Sequence, residues 1–290
     1  MGDSELILQT SLNGLLLGGV YALVAAGLSL IFGVMRVINF AHGEFLMLGG
    51  MTTYWLFALF GINPLLSVIV VLPLFLLLGG VVERTLIERV TEAPPMMALL
   101  LTFGLSFFII GLSQALWGNE FRSVPYLGGS FTVGALQIPK VRVIAFLGAA
   151  LLITGVFIFL RKSRSGKAIR ATAQHPMVAM ACGIDIAKVR RDTFAIGVAT
   201  AAFAGSLLVM ITAMHPQAGQ AYILRGFATV VLGGLGSYVG ALLGGIILGL
   251  VEVFGGFYVS SAVGQASAYL ILLVILLIRP GGLMGFRAGT

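Results

Sequence analysis

The residues able to do chemistry are few, and their spacing excludes most catalytic schemes. His42 and Glu44 form a His-x-Glu pair. In zinc deaminases such a pair precedes a Pro-Cys-x-x-Cys run, and this chain has one cysteine, Cys182. A lone cysteine also rules out an internal disulfide and any multi-cysteine metal or redox centre. There is no His-Glu-x-x-His and no Gly-x-Ser-x-Gly. Gly166-Lys167 is followed by Ala168 and lacks the upstream glycine of a phosphate-binding loop. No catalytic residue, metal ligand or cofactor is therefore expected. Any ATP that drives this chain must be hydrolysed on another one.

The remaining polar residues take their meaning from the apolar sequence around them. Hydrophobic residues make up 59% of the 290 positions and charged residues 9%, with a mean hydropathy of +1.09. A soluble domain carries about 25% charged residues, so lipid must face most of this surface. The expectation is an all-α, polytopic membrane helix bundle. A net charge of +7 suggests nucleic acid only if position is ignored, and no nucleic-acid partner is expected. The start, Met1-Gly2-Asp3-Ser4-Glu5, is acidic where a signal peptide would be basic. The apolar stretch behind it reads as a retained first span.

Apolar segments lie near 6–34, 37–60, 64–82, 95–117, 141–160, 193–213, 221–237, 239–258 and 262–278. Each crossing needs roughly 20 residues. The pair 221–237 and 239–258 is ambiguous, the first being short and holding Arg225, so eight to nine spanning or partly spanning segments are expected. The stretch 161–192 carries Arg161, Lys162, Arg164, Lys167, Arg170, Lys188, Arg190 and Arg191 against Asp185 and Asp192. Basic loops stay cytoplasmic, which fixes its side. Counting back five spans puts the N-terminus outside and the 83–94 loop, with Arg84 and Arg89, inside. Counting four forward puts the C-terminus, with Arg279 and Arg287, inside. The whole chain, 1–290, reads as one transmembrane domain with a cytoplasmic loop at 161–192.

Polar groups within such spans are expensive and usually face the bundle interior. Asn13, Asn39, His42, Glu44, Thr102, Ser106, Gln114, Gln217, Gln220 and Glu252 are the candidates. Of these, Asn39, His42, Glu44, Gln217, Gln220 and Glu252 are assigned to a translocation path. Asn39 also suits the N-cap of the second span, which would set Glu44 near that helix's positive end. Glycines four apart mark close helix contacts: Gly14 with Gly18, Gly245 with Gly249, and Gly236 with Gly240 and Gly244. A faint repeat pairs 48–54 with 232–238, as paired transporter halves would.

Inside the basic loop, Pro176 suits the first position of a helix and Gly183 the position just past its end. Between them Met177, Val178, Ala179, Met180, Ala181 and Cys182 make about two turns without a polar side chain. So short a helix is marginal alone and its apolar surface is unfavourable in water. It should dock on this chain's own helix ends or on a partner subunit.

Three motifs resemble one family. Asn39-Phe40-Ala41-His42-Gly43-Glu44-Phe45 looks like the signature of the LIV-type permeases, the branched-chain amino acid branch of the ABC importers. The closing Arg279-Pro280-Gly281-Gly282-Leu283-Met284-Gly285 resembles their Arg-Pro-x-Gly-Leu-x-Gly. His175 to Gly183 is similar to the coupling motif Glu-Ala-Ala-x-x-x-Gly, with Met177 where Glu is usual and Val178 where Ala is usual. The resemblance implies a permease subunit, not an enzyme, in a bacterial plasma (inner) membrane. Its implied partners are a second, related permease, two cytoplasmic ATPases and an external solute-binding protein. It assigns Pro176 to Gly183 to ATPase coupling and branched-chain or other neutral amino acids as cargo. Related permeases carry urea or short amides. An ion-driven secondary transporter would favour paired intramembrane carboxylates, for which this sequence offers only Glu44 and Glu252, and an intramembrane enzyme would need a nucleophile–base pair.

Overall fold

The computed structural model describes residues 3–279 and 281–284; Arg287, Pro280 and Gly285, on which part of the sequence reading rests, lie outside them. In chain order the helices are α1 (Asp3–Met35), α2 (His42–Phe60), α3 (Val68–Val82), α4 (Pro95–Trp117), α5 (Lys140–Lys162), α6 (Arg164–Gln174), α7 (Pro176–Ala181), α8 (Ile186–Leu208), α9 (Ala218–Gly233), α10 (Tyr238–Tyr258) and α11 (Ser261–Ile278). A hairpin, β1 (Ser130–Val133) with β2 (Leu136–Pro139), precedes α5. The fold is a polytopic helical bundle. Among the described residues six helices are long and apolar enough to cross a membrane: α1, α3 extended to Val90, α4, α5, α10 and α11.

The bundle is organised around α1, whose residues from Gly18 to Ile31 are all buried. A helix apolar on every side could equally face lipid; here its glycines and alanines let neighbouring helices close on it. Its closest neighbour, α10, runs antiparallel to it, with Gly14 against Leu250, Gly18 against Gly245 and Ile246, and Ala22 against Gly245. On the other flank α2 and α8 meet through Gly49 at Ala202 and Gly205 at Leu46, and α3 lies on α8 with Gly79 at Ala195 and Val198. Lipid tails are as apolar as leucine, so membrane helices associate through close packing, which small residues permit.

Polar side chains set several helix starts. Ser163 Oγ accepts from Gly166 N at 2.8 Å, opening α6, and Asp185 Oδ1 accepts from Lys188 N at 3.0 Å, opening α8. Ser237 and Ser260 do the same for α10 and α11, at 3.0 and 3.2 Å. Such caps satisfy amides that have no partner inside the helix.

One end of the bundle is basic. There the last turns of α1, the ends of α5 and α6 and the start of α8 meet in a cluster of Leu30, Leu160, Ile169 and Val189. Gly236 of the α9–α10 turn sits against Gly33, and Arg190 pairs with Glu92 at 4.0 Å. The segment after α11 returns to this end, Leu283 and Met284 donating to the Leu232 and Gly233 carbonyls. The opposite end holds the hairpin, where Gln9 exchanges hydrogen bonds of 2.7 and 2.8 Å with Gln137. There the 209–217 stretch pairs with 122–124, through Arg122–Met214 and Val124–Val209 backbone bonds.

Several sequence expectations shift. Residues 37–41 do not open the second helix: α1 ends at Met35, Arg36 takes φ +53°, and helix resumes at His42. Asn39 is not its N-cap, since Ala41 occupies that position and no side chain caps it. The 83–94 stretch is mostly helical, running on from α3 through a π turn and a 3-10 turn to Val90. The 161–192 stretch is not a loop but the end of α5, all of α6 and α7, and the first turns of α8. Gly236 lies in a turn at φ +79°, outside the glycine face of α10. The 48–54 and 232–238 repeat has no structural counterpart, as the first is interior helix and the second spans a helix end and a turn.

Candidate functional site

Among the described residues the sequence candidates fall in two polar groupings inside the bundle and one feature that projects from its basic end. The first grouping forms where the chain breaks between α1 and α2. The helix α2 begins partway along the bundle, level with Val24 and Gly27 of α1 and Thr200 of α8. The start of α9 meets it there, Gly43 lying on the Gly219 carbonyl so closely that a side chain on either would collide. Two helix N-termini, each the positive end of its dipole, thus converge within the apolar bundle.

Asn39, His42 and Glu44 are all fully buried at this junction. His42 Nε2 donates to the Val24 carbonyl at 3.2 Å, which leaves Nδ1 as a bare acceptor. Ser106 Oγ, from α4, donates to Glu44 Oε1 at 3.0 Å, and Thr102 Oγ1 donates to the Ile38 carbonyl at 3.0 Å. His42 Nδ1, Glu44 Oε2 and both polar atoms of the Asn39 amide are buried without a hydrogen-bond partner among the described residues. Each such atom costs about 1–3 kcal/mol. Broken helices whose ends and unpaired polar groups meet at membrane depth are the arrangement transporters use for polar cargo.

The second grouping is a bidentate ion pair between α9 and α10. Arg225 Nε and Nη2 donate to Glu252 Oε2 and Oε1, each at 3.1 Å. Both side chains are 12% exposed. The guanidinium carbon lies 5.9 Å from the Tyr21 ring centroid and 5.6 Å from that of Tyr222. In the sequence Glu252 stands out as a path candidate, and Arg225 only as a charge in a short apolar segment. The signal was available: one cation and one anion in adjacent apolar segments pair with each other more cheaply than either stays single. Removing one partner should strand the other charge. Arg225→Ala or Glu252→Ala is expected to lower stability by about 3–5 kcal/mol, and the Arg225→Met/Glu252→Leu double variant by much less. Unfolding of the detergent-solubilised protein measures all three; single-variant losses that simply add in the double would show the pair is not coupled.

The two glutamines flank Gly219, at the edge of the first grouping, where Gly219 lies against Gly43 and the Glu44 carboxylate. Gln217 sits at the N-cap of α9 without capping it by its side chain, and donates to Asn119 Oδ1 at 3.3 Å near the hairpin end. Gln220 is exposed. Thus the structure gathers Asn39, His42 and Glu44 together, pairs Glu252 elsewhere, and sets the two glutamines beside Gly219 at the junction's edge, Gln217 reaching away to Asn119.

At the basic end α7 has the form its sequence implies. Pro176 is at its first position, Cys182 is its C-cap, and Gly183 follows at φ +81°. Gly183 N donates to the Met180 carbonyl at 2.9 Å and Ile184 N to the Ala179 carbonyl at 3.1 Å. Ala179 alone is buried, on the chain's own side, while Met177, Val178 and Met180 are 73%, 61% and 56% exposed. Ala181, Cys182 and Gly183 are exposed as well. Of the two docking readings, packing on this chain's own helix ends accounts for one side chain.

The chain is similar to known proteins along nearly its whole length. Residues 10–279 match the family described as "Branched-chain amino acid transport system / permease component". The chain is 32% identical to the high-affinity branched-chain amino acid transport system permease protein LivH of Escherichia coli, covering 96% of this chain and 95% of that one. It is 31% identical to BraD of Pseudomonas aeruginosa, a permease protein of the same description, with the same coverage. A probable LivH of Methanocaldococcus jannaschii is 28% identical over 94% of this chain and 91% of its own length. Among solved structures, PsaBC from Streptococcus pneumoniae in complex with Fab aligns at a TM-score of 0.49 and 13% identity, covering 93% of this chain and 91% of that one. With a family match across nearly its whole length and relatives above 30% identity end to end, the chain belongs to the branched-chain amino acid transport permeases, proteins that carry solute rather than catalyse a reaction.

Proposed function

We propose that this chain is the membrane-spanning permease subunit of an ABC importer for branched-chain and related neutral amino acids, in a bacterial inner membrane. The observation that carries the coupling half of this reading is α7. It presents Met177, Val178 and Met180 to solvent at the basic end, an apolar surface that a cytoplasmic ATPase groove would cover. Burying it contributes several kcal/mol at ~25 cal/mol per Å2. Because Met177 replaces the usual glutamate, docking here relies on apolar contact rather than on that charge. Pro176 to Gly183 are the coupling residues. Two ATPases, a second related permease and an external binding protein complete the assembly.

Charge supports the orientation. Arg36, Arg84, Arg89, the cluster from Arg161 to Arg170, Lys188, Arg190, Arg191 and Arg279 lie at the α7 end, against Arg122, Lys140 and Arg142 at the hairpin end. The α7 end is therefore cytoplasmic, with the N-terminus outside and the C-terminus inside. Nine crossings result, in one transmembrane domain, with α2 and α9 each completed by irregular chain at 36–41 and 209–217. At 16 residues α9 rises about 24 Å, less than the ~30 Å hydrocarbon core.

The path runs past the α2–α9 junction. A zwitterion needs a few polar partners and its apolar side chain needs none. Asn39, His42 and Glu44, flanked by two helix N-termini, offer such partners, whereas a strongly charged solute would find too few to replace its water. Reconstituted with its partners in liposomes, the importer is expected to accumulate labelled leucine, isoleucine or valine only with the binding protein on the hairpin side and ATP on the α7 side. Uptake of urea or an amide with none of these three amino acids would assign the chain a different cargo. Uptake without ATP would replace the ABC mechanism with an ion-driven one.

A further inference from the structure

A cavity of about 280 Å3 opens at the basic end between α1, α5, α6 and the α9–α10 turn. Its character changes across a few ångströms. One wall is apolar and aromatic, built by Leu30, Leu160 and Phe157. The rim carries two guanidinium groups. Arg161 stacks over the Phe157 ring with its guanidinium carbon 4.6 Å from the centroid. Arg170 Nε donates to the Leu160 carbonyl at 2.9 Å, which anchors its base and leaves both terminal nitrogens free to face a ligand. Neither arginine has an ion-pair partner among the described residues. Ser29 also lines the cavity; it is 1% exposed, and its hydroxyl has no hydrogen-bond partner among the described residues.

These groups recognise one chemistry, a phosphate attached to something apolar. Planar guanidinium forks match phosphate oxygens, and the buried Ser29 hydroxyl would donate to an ester or glycerol oxygen. The surroundings favour an anion further. Arg161 and Lys162 close α5, Arg164, Lys167 and Arg170 follow along α6, and no acid occurs before Asp185, whose carboxylate caps α8. Basic clusters next to a membrane helix attract anionic lipid, and basic pockets between such helices hold its headgroups. A free phosphate or a nucleotide would satisfy the arginines and leave the apolar wall uncovered. A zwitterionic lipid would cover the wall but bring its own cation to the rim.

We propose that this cavity binds an anionic phospholipid of the cytoplasmic leaflet, its phosphate between Arg161 and Arg170 and its chain along Phe157 and Leu160. The proposal rests on the orientation given above. The site joins α1, the bundle's central helix, to α6, which leads directly into α7. A bound lipid therefore holds the coupling segment against the helix it must move.

The test needs no transport and so can fail independently of the proposed function. The purified full-length protein is titrated in detergent with phosphatidylglycerol, phosphatidylcholine and inorganic phosphate, and bound species are counted by native mass spectrometry. Phosphatidylglycerol should bind at least about tenfold tighter than phosphatidylcholine, whose phosphate can make the same bonds but whose ammonium is repelled by the two guanidinium groups at the rim. The Arg161→Gln/Arg170→Gln variant should lose that preference. Lys162→Gln/Arg164→Gln, with the same change in charge outside the cavity, should keep it. Equal loss in both variants would mean diffuse surface charge, and no preference in the unmodified protein would mean no site. Displacement of lipid by millimolar inorganic phosphate would mean a free-anion site. Each of these overturns the proposal.

Discussion

Gly205→Leu is expected to prevent the bundle from forming. Gly205 packs against the Leu46 carbonyl so closely that a single added carbon would collide with it, and that carbon would also lie 2.8 Å from the carbonyl carbon of Leu46 and 2.9 Å from the Gly50 nitrogen. All three obstructing atoms are backbone, so no rotamer change relieves the contact. The whole of α2 would have to move off α8. Overpacking a core costs about 1–3 kcal/mol when side chains can adjust, and here the loss should exceed that range. The displacement would also pull α2 from the junction that holds His42 and Glu44, and would break the Ser206 hydroxyl's weak 3.4 Å reach to the Gly49 carbonyl. The check is the yield of monodisperse protein on size exclusion after membrane extraction. Gly104→Leu and Gly111→Leu are the controls, because a side chain at either meets nothing within 4 Å in this chain. A normal elution profile for Gly205→Leu, matching those controls, would contradict the α2–α8 packing.

That glycine also shows where sequence stops being informative. Spacing of four singled out Gly14, Gly18, Gly245 and Gly249, and these do form the α1–α10 seam. Gly43, Gly49, Gly205 and Gly219 are just as tightly packed, but in the sequence they sit among other glycines and alanines with no distinguishing interval. Helix positions were legible because hydropathy is a local property: each of the nine apolar segments falls largely on one of the helices α1 to α5 and α8 to α11, six of which are long and apolar enough to cross a membrane among the described residues. Which helix faces which depends on partners far apart in the chain and leaves no local trace. The boundary near 35–36 was legible, but the length of the break was hidden, because Val37, Ile38, Phe40 and Ala41 are as apolar as a helix interior although helix resumes only at His42. Likewise Asn39 looked like a cap by residue type, whereas its side chain is buried and unpaired. The hairpin at 130–139 escaped because four-residue strands, mostly exposed, carry almost no pattern. The short helix α7 was legible for the opposite reason. Proline at its start and glycine past its end are local requirements, and both are met.

Gly183→Trp is expected to leave the permease inserted and folded while reducing substrate-stimulated ATP hydrolysis in the assembled importer to its basal rate. Two effects act at this position and can be separated. Gly183 holds φ at +81°, where an L-residue pays about 1–2 kcal/mol. That strain falls on the turn that closes α7, through the Gly183–Met180 and Ile184–Ala179 backbone bonds. A side chain there meets nothing within 4 Å, so an indole clashes with no part of this chain and projects into the space a docking ATPase must occupy. Gly183→Ala carries the strain without the bulk. Gly183→Asn is tolerated at positive φ and relieves much of the strain. If docking is what matters, alanine and asparagine should retain most of the stimulated rate and only tryptophan should lose it. If the turn's geometry matters more, alanine should fall toward tryptophan and asparagine should not. Unimpaired stimulation in Gly183→Trp would remove α7 from the coupling path, because no groove that closes over Met177, Val178 and Met180 could ignore a ring planted at their end.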